Sequence, residues 1–179
     1  ADGRPGEFDT AGMALAARAH MPAADAFFRV ATWAGSILVL APLAIAHAAF
    51  AWHRLRNPGA LFVPAVLAGA ALLAFLAKIA VDRERPAVAA LVDMPADASF
   101  PSAHALQAGA FALAWLLAPG RAKPPLGGEI ALAALLVTLV AWSRLHLQVH
   151  YPSDILFGLA AAIAWALGLR SLPIWSKTT

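Results

Sequence analysis

Three groups of residues carry the chemistry this sequence could do. Lys78 and Arg85 stand seven positions apart, with Pro86 next. If a helix ran through both, they would share one face and Pro86 would end it. Pro101-Ser102-Ala103-His104 reads as a turn into a helix start, with Ser102 as its N-cap. Such a start offers free N–H groups and a positive dipole end to an anion, with His104 beside it. In the third group Arg144 precedes His150 and Asp154, and Pro152 marks a new helix start. Asp154 is four residues after His150 and can hold one ring nitrogen, leaving the other free as base or nucleophile. With Arg144, Lys78 and Arg85 make three cations suited to a phosphate. Three cations and two histidines, one carboxylate-backed, suit phosphoryl transfer without a metal. His146, His150 and Asp154 could instead be read as metal ligands, although Pro152 interrupts any single helix through them.

These groups are far apart in sequence, so their positioning depends on the elements between them. Of the 179 residues, 61% are hydrophobic and 13% are charged. A soluble domain carries about 25% charged residues. The composition argues against a soluble enzyme, a nucleic-acid binder and a disordered chain, and indicates a polytopic all-α membrane bundle; the alternative is that the shorter apolar stretches are buried helices of a soluble core. No cysteine is present, which excludes disulfides and thiolate chemistry. Five charge-poor stretches, residues 30–52, 58–77, 105–118, 130–142 (or from 126) and 155–169, are the expected spans. The last three fall short of the ~20 residues a span needs, so polar residues must extend them. Those polar ends belong inside protein, since lipid does not tolerate them. A short interfacial helix is expected between Asp9 and His20, capped by Asp9 or Thr10 and stopped by Pro22.

Five spans put residues 1–29, 78–104 and 143–154 on one side, X. The opposite side, Y, receives 53–57, 119–129 and the chain from Arg170. Side Y carries Arg54, Arg56, Arg121, Lys123, Arg170 and Lys177 against one acid, Glu129. Side X carries seven bases and nine acids. With four X-side bases in and around the motifs set aside, Y has six bases against three, which makes Y cytoplasmic and X exterior. Lys78, Arg85, Ser102, His104, Arg144, His150 and Asp154 are all expected at the X face. Ionisable residues so placed mark a functional site by default.

Lys78-(six residues)-Arg85-Pro86, Pro101-Ser102-Ala103-His104 and Ser143-Arg144-(five residues)-His150-(three residues)-Asp154 together resemble the signature of the type 2 phosphatidic acid phosphatase superfamily, as in bacterial integral-membrane members. The resemblance runs from Lys78 to Asp154 in order. One departure is Ala103, where the family usually has Gly. The resemblance implies that His150 attacks phosphorus and forms a phosphohistidine, that Asp154 orients His150, and that His104 protonates the leaving group. It implies that Lys78, Arg85, Ser102, Ala103 and Arg144 bind the phosphoryl oxygens, with no metal and no cofactor. The family typically has six spans. The chain starts at Ala1 without a methionine, so a sixth span is expected upstream.

A single integral-membrane phosphatase domain over 1–179, with 1–29 external or interfacial, is the expected organisation. Its partners would be a lipid phosphate substrate and membrane lipids, with no nucleic acid. Polyprenyl diphosphate, phosphatidylglycerol phosphate and phosphatidate are the candidate substrates, at the outer face of a bacterial inner membrane. Alternatives are a lipid A phosphatase or phosphotransferase of the same superfamily, and a non-catalytic protein that binds or transports an anionic lipid. His146 is expected to pack or support the site. Asp82, Arg83 and Glu84 are expected to be solvated or to back the site.

Overall fold

The structure is a computed structural model that describes residues 5–56, 58–121 and 123–176. The chain start at 1–4, Asn57 in the connection between the first two expected spans, and Lys177 on the basic side lie outside the described residues. The described residues form helices joined by turns and loops: α1 (Glu7–Ala17), α2 (Pro22–Ala31), α3 (Ile37–Leu55), α4 (Phe62–Val81), α5 (Ala103–Leu116), α6 (Gly127–His146), α7 (Pro152–Arg170) and the short α8 (Pro173–Ser176). Four of them, α3, α4, α6 and α7, are long and apolar enough to cross a membrane. This is the polytopic helical bundle expected from composition.

Helix α5 is the short one, 14 residues. At about 1.5 Å per residue it is about 21 Å long, less than the ~30 Å hydrocarbon core. It can be short because it is enclosed. Ala105 to Ala112 and Ala114 are buried, and α5 packs against α4, α6 and α7. Small residues let these backbones approach, the usual basis of helix packing in lipid. A Cβ added at Gly109 would meet the Ala162 Cβ at 3.0 Å, and one at Gly158 would meet the Ser102 carbonyl at 2.9 Å. Outward-facing Leu38, Ile45, Phe75, Leu132, Leu135 and Phe157 are exposed, as lipid contact requires.

Several boundaries differ from the sequence expectations. The first span begins at Ile37, not Val30: residues 22–31 form α2, Thr32–Gly35 form a 3-10 turn, and Ser36 caps α3 through its Oγ, which accepts from the Leu38 N–H at 3.3 Å. Pro22 does not stop the preceding helix. It opens α2, where its missing N–H costs nothing. The N-cap of α1 is Gly6 rather than Asp9 or Thr10. Asp9 instead turns inward and is buried.

One end of the bundle gathers α1, α2 and residues 82–102 and 147–151. The Gln148 side chain donates to the Met13 carbonyl at 3.2 Å, and His20 Nε2 pairs with the His146 carbonyl at 2.9 Å. The Leu91 N–H donates to the Leu147 carbonyl at 3.2 Å. This is side X. At the other end, Arg170 Nε donates to the Leu117 carbonyl at 3.1 Å.

Candidate active site

Helix α4 stops at Val81 because Asp82 takes a left-handed conformation (φ 45°), its N–H donating to the Lys78 carbonyl. Lys78 and Arg85 therefore do not share a helical face, and Pro86 ends no helix there. Lys78 lies in the last turn of α4, and Arg85 lies beyond it in a segment without regular secondary structure. The two cations meet by another route. Arg85 Nη2 donates to Asp97 Oδ1 at 2.6 Å, and Lys78 Nζ lies 3.3 Å from Asp97 Oδ2. Lys78 also donates to the Ala98 carbonyl, and Arg85 Nε to the Asp97 carbonyl at 2.8 Å. No motif in the sequence marks Asp97, which is one acid in an irregular loop. Burial works to raise its carboxyl, but the Arg85 hydrogen bond and Lys78 hold it below the usual carboxylate range. It is therefore an anion sitting on two cations.

Ser102 caps α5, its Oγ accepting from the Ala105 N–H at 3.4 Å. Its own N–H donates to the Asp154 carbonyl at 3.0 Å, so the starts of α5 and α7 are tied together. Ala103 is the first residue of α5, half-buried. His104 follows, within electrostatic reach of Arg144, His150, Arg85 and Lys78. It also borders the 3-10 turn, since a Cβ at Gly35 would lie 3.3 Å from the His104 Cβ. From the same turn Thr32 Oγ1 accepts from Arg144 Nη1 at 2.8 Å. Arg144 is buried, and its Nε has no partner among the described residues.

Helix α7 begins at Pro152, as its sequence suggests. Asp154 sits in its first turn, its Oδ2 accepting from the Tyr151 N–H at 3.0 Å. The same oxygen accepts from Ser99 Oγ at 2.5 Å and lies 3.6 Å from His150 Nδ1. That last distance is an ion-pair separation, longer than a hydrogen bond. The other ring nitrogen of His150, Nε2, is 3.4 Å from Arg85 Nη1. His150 is 2% exposed. Burial pushes its imidazole down to about 3, with Arg144 and Arg85 adding to the effect against the pull of Asp154. The ring is therefore neutral near pH 7, as a nitrogen nucleophile must be.

Arg83 carries more than a solvated charge. Nη1 donates to Asp154 Oδ1 at 2.6 Å and to Ser153 Oγ at 2.8 Å, and Nη2 donates to Asp9 Oδ2 at 2.7 Å. Its guanidinium lies 4.4 Å from the Tyr151 ring centroid. Arg83 thus backs the site, one of the two readings expected of it, while Asp9, Ser99 and Thr32 are contacts that the sequence motifs did not indicate. Only the position of Arg83 between Lys78 and Arg85 could have drawn attention to it.

His146 does not join His150. Its Nε2 pairs with Asp25 Oδ1 at 2.8 Å, and its ring packs on Phe28 with centroids 4.5 Å apart. Among the described residues, no three His, Cys, Asp or Glu are gathered as a metal-ligand set. The geometry at the X end is thus a cluster of Lys78, Arg85 and Arg144 near the start of α5, with two histidines among them. It can hold a multiply charged oxyanion and present a neutral imidazole nitrogen to it.

A family profile for the PAP2 superfamily matches residues 59–177. The decaprenylphosphoryl-5-phosphoribose phosphatase of Mycobacterium tuberculosis is 43% identical over 91 residues, 49% of this chain and 46% of the relative. The protein of the same name from Mycolicibacterium smegmatis is 40% identical over 120 residues, 60% of this chain and 62% of the relative. The alignments thus span 46% and 62% of these curated relatives, less than two thirds of either. In fold, the chain resembles a transmembrane PAP2-type phosphatidylglycerolphosphate phosphatase from Bacillus subtilis, with TM-score 0.80 at 24% identity over 90% of this chain and 82% of that one.

Proposed function

Since this chain belongs to the PAP2 superfamily, we propose that it is a membrane phosphatase that hydrolyses a lipid phosphate or diphosphate through a phosphohistidine on His150. One observation carries the reading. His150 turns Nδ1 toward Asp154 and Nε2 toward Arg85, so the nitrogen away from the carboxylate faces a cation that would hold the phosphoryl group.

In the first step Nε2 attacks phosphorus, the P–N bond forms, and the P–O bond to the lipid breaks. His104 gives its proton to the departing oxygen. Positive charge grows on the imidazole, where Asp154 stabilises it. Lys78, Arg85 and Arg144 take up the charge of the phosphoryl oxygens, and Ser102 with the first N–H groups of α5, that of Ala103 included, completes the cradle. In the second step His104 takes a proton from water, whose oxygen attacks phosphorus. The P–N bond breaks, inorganic phosphate leaves, and His150 returns to neutral.

The substrate class rests on the setting. A site at the end of a lipid-exposed bundle meets phosphates carried on membrane lipids, and the mycobacterial relatives named above act, by their names, on a decaprenyl-linked phosphate. A polyprenyl-linked phosphate or diphosphate is therefore the first substrate to try, ahead of phosphatidate and phosphatidylglycerol phosphate. The basic end Y belongs in the cytoplasm and the site at the exterior face of a bacterial inner membrane. The test is phosphate release from this panel in detergent micelles. His150→Ala should abolish turnover and the acid-quenched phosphoenzyme, vanadate should inhibit, and EDTA should leave activity intact. Undiminished turnover by His150→Ala would overturn the reading.

A further inference from the structure

We infer that Asp9 and Arg83 are positioning residues that act through Asp154 to orient His150 and set its electrostatics, which makes α1 part of the working site. This rests on the reading of His150 as nucleophile.

Asp154 is fully buried. A buried carboxylate keeps its charge only where it is paired and hydrogen-bonded. Its Oδ2 is committed to Ser99 and the Tyr151 N–H, with His150 Nδ1 beyond. Its Oδ1 receives one arm of Arg83 at 2.6 Å. Without that guanidinium Oδ1 would lose its charged partner in the protein interior, and only a carboxylate that keeps its charge can stabilise the imidazolium that forms on His150.

Arg83 by itself would overcompensate. One full positive charge on Asp154 cancels the field that His150 needs. The second arm of Arg83 goes to Asp9 Oδ2 at 2.7 Å, and Asp9 is buried in α1. The fork is braced by Ser153, whose N–H donates to Asp9 Oδ1 at 2.9 Å and whose Oγ donates to Asp9 Oδ2 at 2.8 Å. The three side chains thus carry one net negative charge, left facing His150. The other charged or titratable groups around that ring are Arg85 from the segment after α4, Arg144 from α6 and His104 from α5. These oppose an imidazolium, so Asp154 must retain its charge. A role confined to fastening α1 would not require the same guanidinium to reach both carboxylates.

The test uses the full chain in detergent with a polyprenyl monophosphate, reading kcat, KM, product inhibition by inorganic phosphate and the acid-quenched phosphoenzyme. Arg83→Gln should lower kcat by about 100-fold and Asp9→Asn by about 10-fold, the range in which supporting partners act. KM and phosphate inhibition should stay within about two-fold of the parent, since the phosphate-binding cations are untouched. Arg83→Lys should recover part of the loss. The double variant should lose no more than Arg83→Gln alone, because Asp9 acts through Arg83. Met13→Ala, which loosens the packing of α1 without touching a charge, should keep kcat within about three-fold, as an effect confined to stability would. Losses that multiply in the double variant, an Asp9→Asn chain at parental kcat, or a Met13→Ala loss equal to that of Asp9→Asn would each overturn the inference. A parent chain with no phosphoenzyme, together with an active His150→Ala chain, would remove the nucleophile reading and this inference with it. An inactive His150→Ala chain beside a parental Asp9→Asn chain would remove the inference alone.

Discussion

At the scale of single residues, the two histidines differ in what surrounds them. His150 has a carboxylate on one nitrogen and an arginine near the other. His104 has Arg144, Arg85 and Lys78 within electrostatic reach and no carboxylate partner among the described residues. A proton on His104 therefore needs the negative phosphoryl group beside it, which suits a donor to a leaving oxygen. His104→Ala should accordingly lose about 10²–10⁴-fold on a lipid phosphate, the usual worth of general acid catalysis, and much less on nitrophenyl phosphate, whose alcohol leaves without a proton. Equal losses on both substrates would sink the acid role. Asp97 makes a different prediction. Its carboxylate, 55% exposed, pairs with both Lys78 and Arg85, the cations proposed to bind phosphate. Substrate must displace it. An exposed ion pair is worth about 0.2–1 kcal/mol, so Asp97→Asn should lower KM by about 1.5- to 5-fold with kcat held. An unchanged or raised KM would show that the carboxylate is not a competitor.

Among the elements, the site depends on the junction of α5 with α7. Ser102 caps one helix, bonds to the backbone of the other at Asp154, and turns its carbonyl toward Gly158. A methyl at Gly158 would lie 2.9 Å from that carbonyl oxygen, a rigid backbone atom that cannot give way cheaply. Gly158→Ala should destabilise the protein by about 1–3 kcal/mol, the usual range for overpacking. It should also lower kcat, because the α5 start and Asp154 would move apart. Thermal unfolding in detergent and turnover on the same preparation check both. A fully active, equally stable Gly158→Ala chain would show that the junction is slack. The late start of α3 belongs to this scale too. The 3-10 turn at Thr32–Gly35 brings Thr32 to Arg144 and leaves Gly35 beside His104, so a turn outside the motifs helps shape the site.

For the whole molecule, the proposed topology puts an odd number of crossings between the basic loops and the motif loops, and the basic loops would set the orientation. The absence of cysteine makes the orientation straightforward to measure. Ala96→Cys in the exposed X-side loop should react with a membrane-impermeant maleimide on intact cells. Ser171→Cys, exposed after α7, should react only after lysis. The reverse pattern would invert the proposed topology and place the site in the cytoplasm.

Hydropathy, charge count and motif register are properties of the sequence itself. They determined the all-α membrane bundle, the approximate spans, and the gathering of Lys78, Ser102, His104, Arg144 and His150 at one face, since crossing a bilayer an odd or even number of times leaves few alternatives. The Pro152 start of α7 and the Ser102 cap were equally legible, being local chemistry within one turn. Three other features depended on long-range packing. The chain leaves α4 at Asp82 through a left-handed residue, which no helical pattern predicts, so the pairing of Lys78 with Arg85 through Asp97 could not be read from their spacing. The reach of Asp9 to Arg83 joins residues 74 positions apart. It forms because two buried carboxylates and a guanidinium must satisfy one another once α1 docks on α6 and α7. The brevity of α5, which looks like a deficiency in hydropathy, is acceptable only because other helices enclose it. In each case a buried polar or small group is placed by a partner that the sequence leaves far away.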